Sequence, residues 1–249
     1  MANYESTVKL PSKGYIYEGI PEELTIRAMT VKEEKLMFGS TGKDTINRVL
    51  ENCIITEGVD PRDLILGDKL YLLFELRILS YGPEYYVYGQ CPECGQVHEF
   101  KIDLSEVESI ELDEEEYNKY IEFTLPRTGK KIRCKLTTDA TRKVYMDEVD
   151  RKLRMLKRND SVDIDYDGMV WEYSQAYQID QVDGKKLKNS EKTKFYEELP
   201  VMDTAYIRDR LSHITVGLDT NKEVTCPNCD QEYETNITMG PEFFRPRFD

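Results

Sequence analysis

Two short cysteine pairs are the residues in this chain best suited to chemistry. Cys91-Pro92-Glu93-Cys94 and Cys226-Pro227-Asn228-Cys229 each set two thiols three positions apart. On a tight turn that spacing aims two sulfurs at one point, and Pro92, Pro227 and Gly95 suit such a turn. Zinc in a closed structural site takes four ligands, with sulfur at about 2.3 Å. Neither pair has a second Cys-x-x-Cys beside it. A zinc site of Cys91, Cys94, Cys226 and Cys229 therefore requires the two knuckles to meet, within one chain or between two. The intrachain pairing is favoured, because linked copies have a high effective concentration for each other. Four thiolates leave no open position on the metal, so the expected role is structural. The competing reading is a redox pair. A thioredoxin-type pair should open a helix, whereas these lie between predicted strands.

The remaining chemical candidates are weaker. His98 lies near the first knuckle, but its counterpart beside the second is Tyr233, which fits an ordinary surface histidine. Cys53 and Cys134 have no cysteine counterparts and read as buried small residues. Gly39-Ser40-Thr41-Gly42-Lys43 resembles part of a phosphate loop. It has Met37 where the first glycine belongs and Asp44 where the metal-binding hydroxyl belongs, so it reads as a turn between helices. Asp163 to Gly168 matches the opening of a calcium loop, but Ser174 stands where the bidentate Glu should be, so a polar hairpin turn is expected. No nucleophile motif of the Gly-x-Ser-x-Gly kind occurs, and no catalytic set is assigned.

The elements that must position the knuckles repeat as well. At the same offset of 135, Asp68 maps to Asp203, Tyr71 to Tyr206, Leu76 to Leu211, Gly82 to Gly217, Gln96 to Gln231 and Ile102 to Ile237. Leu10-Pro11-Ser12-Lys13-Gly14 is echoed by Leu125-Pro126-Arg127-Thr128-Gly129. The pattern predicts an α+β fold: a tandem duplication of a helical unit ending in a zinc-knuckle β-hairpin, with two lobes sharing a zinc-ribbon-like site. Residues 1–104 form the first repeat, 105–124 an acidic linker, 125–240 the second repeat with an insertion around 159–188, and 241–249 a tail rich in Phe and Pro.

Within the first repeat, Leu24 to Met29 alternates as a strand. Thr30 and Glu33 have capping-box spacing, which predicts a helix to about Phe38. Further helices are predicted over about 44–53 and 67–81, the last stopped by Gly82-Pro83. Strands over 85–88 and 99–104 flank the first knuckle. In the second repeat, helices are predicted over about 139–158 and 203–213, and the second hairpin over 224–239. The tail is expected to be extended. Phe243, Phe244 and Phe248 should find apolar cover, because leaving each in water forgoes about 1.5–3 kcal/mol.

Composition narrows the partners. The formal net charge is −14 over 249 residues, which disfavours general affinity for nucleic acid or anionic membrane. No apolar run is long enough for a membrane span, and residues 1–13 lack a secretory pattern. A chain kept in the cytoplasm holds its six cysteines as thiols or metal ligands rather than disulfides.

Leu10 to Gly14, Tyr17, Ile26-Arg27, Met29-Thr30 and Glu33-Glu34-Lys35 together resemble the opening of the baseplate hub assembly proteins of T-even-type bacteriophages. The resemblance is best over the N-terminal third. It implies a non-enzymatic catalyst or chaperone of hub assembly in the infected host cytoplasm, with other phage baseplate hub proteins as partners. A structural component of the hub is the alternative. A zinc-ribbon regulator that binds nucleic acid is a second, disfavoured by Glu93, Glu99, Asp230, Glu232 and Glu234 on the hairpins. A hydrolytic enzyme comes third. The family supplies no catalytic residues.

Overall fold

The computed structural model describes residues 4–39, 44–156 and 165–245. Strands β1 (Glu5–Lys9) and β2 (Glu23–Arg27) precede helices α1 (Val31–Gly39), α2 (Thr45–Cys53) and α3 (Leu66–Tyr81). Then come β3 (Glu84–Gln90), β4 (Val97–Asp103), β5 (Ser109–Ile110), α4 (Glu114–Ile121), β6 (Glu122–Thr124) and β7 (Lys131–Cys134). Next are α5 (Asp139–Leu156), α6 (Tyr166–Ala176), β8 (Ile179–Val182), β9 (Lys185–Lys186), α7 (Asn189–Glu197) and α8 (Val201–Ser212). The last strands are β10 (Gly217–Leu218), β11 (Asn221–Thr225) and β12 (Glu232–Asn236). The named strand pairs are antiparallel and the sheets small, as an α+β chain requires. Among the described residues, no helix is long and apolar enough to cross a membrane.

The chain folds as two compact units, and they do not follow the repeat boundaries. The first unit combines Met1–Pro61, Leu66–Glu111 and Val216–Asp249; the second combines Arg62–Ile65 and Leu112–Thr215. The second knuckle hairpin thus folds with the first. The acidic stretch 105–124 is divided between the units and is more than a linker. Ser109–Ile110 pairs with β10 in the first unit. In the second, the Asp113 carboxylate accepts the Glu116 amide at 2.8 Å and caps α4, which buries Tyr117 and Ile121 on one face. The density of acids hid that one-in-four apolar spacing.

In the first unit, β1 and β2 pair from Glu5↔Arg27 to Lys9↔Glu23, joined by a loop that begins at Leu10. Gly14 in that loop has φ +69°, and a Cβ there would lie 2.9 Å from the Ile20 carbonyl oxygen, so only glycine fits without backbone movement. The loop is tied to α3. Asp68 is fully buried and accepts the Ser12 amide at 3.1 Å, the Ser12 hydroxyl at 2.5 Å and the Tyr17 hydroxyl at 2.5 Å. The predicted cap of α1 forms. Glu33 reaches back to the Thr30 amide at 2.9 Å and also receives the Arg27 guanidinium at 3.1 and 3.3 Å. Burial opposes its charge, yet Arg27 and Thr30 outweigh that and hold Glu33 down at about 2.

Helix α3 buries Leu72, Leu73, Phe74 and Leu76, and Gly82 at φ +85° ends it. Arg77 is buried on the same helix without a carboxylate. It donates to the carbonyls of Phe243 at 2.7 Å, Gly82 at 2.5 Å and Glu84 at 3.0 Å. This is where the tail attaches. The tail is not extended here: Pro241–Phe244 forms one short 3-10 turn, closed by the Phe243 amide on the Gly240 carbonyl at 3.0 Å. That turn points two adjacent phenylalanines inward, and both are buried. Phe243 stacks on Phe74 at 5.6 Å and meets Tyr85 edge-on at 5.1 Å. The tail packs on its own body through Phe243 and Phe244; Phe248 lies outside the described residues.

The second unit carries the sheet order β6-β7-β8-β9. Phe123, Leu125, Ile132, Cys134 and Ile179 from the sheet side pack with Ala176, Tyr196 and Ile207 from the helices. A second cluster joins α5 and α6 through Tyr145, Val149, Tyr173 and Tyr177. Its turn after Leu125 repeats the first unit's device. Asp203 on α8 accepts the amides of Arg127 at 2.8 Å and Thr128 at 3.0 Å, and Gly129 has φ +67°. Asp165 is not in a hairpin turn. Its carboxylate accepts the Gly168 amide at 2.9 Å and caps α6, while Asp163 and Ile164 lie outside the described residues. The phosphate-loop-like residues 40–43 lie outside them too.

Candidate metal centre

Both knuckles are built the same way. In each, two antiparallel strands converge and the first cysteine closes the hairpin with its backbone. The Cys91 amide donates to the Gln96 carbonyl at 2.9 Å, and the Cys226 amide to the Gln231 carbonyl at 2.8 Å. One residue before each glutamine, the chain turns through the left-handed region. Gly95 takes φ +72° and donates its amide to the Cys91 carbonyl at 3.0 Å. Asp230 takes φ +57° and donates to the Cys226 carbonyl at 3.0 Å. Asp is among the few side chains that tolerate this conformation, which explains how the second knuckle closes without a glycine.

The turn brings one more amide to the sulfurs. The Gln96 amide donates to Cys94 and pulls its thiol down to about 6. The Gln231 amide pulls Cys229 the same way but is outweighed. Partial desolvation against the sulfurs of Cys91, Cys226 and Cys94, and those sulfurs themselves, push that thiol up to about 12. Four thiols this close cannot all ionise unless a cation sits among them, since like charges at contact oppose each other.

The two hairpins meet in the first unit, and the four cysteines gather at the junction. Cys91 Sγ lies 3.6 Å from Cys229 Sγ, and Cys94 Sγ lies 3.7 Å from Cys226 Sγ. All four sulfurs fall within 4.8 Å of one another. A disulfide requires about 2.05 Å, so these are separate thiols. Four sulfurs set tetrahedrally at about 2.3 Å from one ion would stand about 3.8 Å apart, which the two short separations match. The close contacts cross between hairpins, so each knuckle contributes half of the cluster. Cys91 and Cys226 are buried, Cys94 is half-buried and Cys229 is exposed. These four residues could hold a metal ion, and a soft sulfur set suits zinc.

The hairpins are fastened by more than sulfur. The Thr235 hydroxyl donates to the Tyr88 carbonyl at 3.4 Å. Tyr233 packs edge-on against Phe100 at 6.2 Å, and Phe100 against His98 at 6.4 Å. His98 stands in this aromatic contact rather than in the sulfur cluster. Cys53 and Cys134 are buried elsewhere, and burial pushes their thiols up to about 11 and about 12. Sequence reasoning missed the amides of Gln96 and Gln231, although both glutamines keep the 135 offset. It also missed Gly89 as the contact point of Tyr233.

Comparison with known proteins adds one finding. The family model described as T4 bacteriophage base plate protein matches residues 1–245. No curated protein and no solved structure matches the chain. A match over nearly the whole chain places it plainly: this chain belongs to the T4 bacteriophage base plate protein family.

Proposed function

We propose that this baseplate-family protein is an assembly factor for the hub of a contractile phage tail. It acts by transient protein–protein binding in the infected host cytoplasm, without bond-making chemistry. Its partners are other baseplate hub proteins rather than nucleic acid. The observation that carries this reading is the family match over residues 1–245, combined with a sulfur cluster closed by four cysteines. Such a cluster leaves a bound metal no position for substrate, so its service is to hold the fold. The metal is zinc, with Cys91, Cys94, Cys226 and Cys229 as ligands. It clamps segments more than 130 positions apart in sequence into one unit.

The fold is a tandem duplication. Supporting this, each unit seats a Leu-Pro-x-x-Gly turn on an aspartate of a helix, Asp68 in one and Asp203 in the other. The two knuckles also share their turn bonding at a constant offset. After duplication the second hairpin folded back onto the first, which preserved both cysteine pairs. The second reading, a structural component of the hub, follows from the same family match. Mass spectrometry of purified tail particles separates them. An assembly factor is absent or far below hub stoichiometry, whereas stoichiometric presence contradicts the proposal and leaves the structural component.

A further inference from the structure

We propose that a notch at Gly89 and a key at Tyr233 decide which hairpins share the metal, and so close the site within one chain. The inference rests on the metal reading above. Gly89 lies two positions before Cys91, and Val224 two before Cys226. Across the strands, Gly89 pairs with His98 and Val224 with Tyr233. The two hairpins therefore carry different residues at the same two places, small with imidazole in one and branched with phenol in the other.

The fit between them is one-sided. Gly89 is buried, and a Cβ there would lie 2.8 Å from Tyr233 Oη and 3.1 Å from Tyr233 Cε2. The phenol thus occupies the place a side chain would need. Phe100, whose ring would lie 3.2 Å from that Cβ, walls the other side. Two first hairpins from separate chains would set the shorter His98 over Gly89 and leave the notch unfilled, at the cost of lost contacts. Two second hairpins would drive Tyr233 onto Val224, whose Cβ and methyls fill the space that must stay open. Only a first hairpin on a second hairpin packs densely. The fit disfavours zinc-bridged dimers of like hairpins, and the high effective concentration of linked hairpins makes the intrachain pairing the favoured unlike one.

The test uses the full chain, Gly89→Val, and Gly89→Val with Tyr233→Ala. Native mass spectrometry during zinc addition reads ions per chain and mass together. The wild type should hold one zinc as a monomer. Gly89→Val should weaken monomeric zinc binding by at least tenfold, with any zinc retained shared between chains. The double variant should recover one zinc per monomer. A metal-free readout runs in parallel: mild oxidation should link Cys91 to Cys229 in the wild type and the double variant, and much more slowly in Gly89→Val. Wild-type affinity and cross-linking in Gly89→Val, or no recovery in the double variant, would overturn the inference. Should the wild type take up no zinc, the metal reading falls, and the cross-linking rates still decide the notch.

Discussion

Arg77 offers the sharpest energetic test of how the first unit is held. It is a buried guanidinium that meets three main-chain carbonyls and no carboxylate. Burial without an acid pushes its pKa down from the usual arginine value. Replacing it with Met keeps the apolar stem and removes all the donors. The buried carbonyl of Phe243 is then left without a donor, which costs about 1–3 kcal/mol. The carbonyls of Gly82 and Glu84 are part-buried, so water can replace the guanidinium there, and relief from burying an uncompensated charge offsets what they add. The net expectation is about 1–3 kcal/mol. At a factor of ten per about 1.4 kcal/mol, this is a rise of about fivefold to a hundredfold in the opening of α3. Hydrogen exchange of peptides spanning Leu66–Tyr81 reads it directly. Removal of 241–249 should be strongly non-additive with Arg77→Met, because the Phe243 carbonyl is one of the three acceptors. Exchange within threefold of the wild type, or strict additivity with the truncation, would refute the clamp.

Asp203→Asn should cost about 2–3 kcal/mol and Asp68→Asn less than about 1, compared by exchange within each unit. Asp203 faces two backbone amides, one of which must then meet an NH₂, whereas two of the donors to Asp68 are hydroxyls that can turn and accept. Burial, opposed by Ser12 and Tyr17, also raises the Asp68 pKa, so giving up its charge is cheap. For Glu33, held at about 2 against an ordinary 4.5, stabilisation is fully present above about pH 4.5 and is lost as pH falls toward 2. Thermal melts of Glu33→Gln should lie below the wild type at neutral pH and converge with it over that window; a constant difference down to pH 2 would contradict the assignment.

Much of this arrangement can be read from residue order, and the rest fails for physical reasons. Cysteine spacing, glycine after the first knuckle and the 135 offset point to four sulfurs at one place, because turn geometry is local. The Thr30–Glu33 cap and the Gly82 stop are legible for the same reason. The division into units is not local. Cys226 and Cys229 say that the second knuckle meets the first, but nothing near residues 221–236 states that β11 and β12 leave the rest of the second repeat to fold in the first unit. Arg77 sits at a helical spacing among leucines, so its periodicity marks it as core. Only the three carbonyls brought to it by Gly82, Glu84 and Phe243 explain how a guanidinium is housed there. Asp113 followed by Glu116 is a cap signal, and five further acids at 106, 108, 111, 114 and 115 drown it.

The central claim is that Cys91, Cys94, Cys226 and Cys229 hold one metal ion within one chain. The most direct measurement is native mass spectrometry of the full chain, giving metal identity, ions per chain and oligomeric state in one spectrum. The account predicts one zinc on a monomer, and its loss in Cys226→Ser. Two zinc ions per monomer, no metal at all, or full zinc occupancy in Cys226→Ser would contradict it.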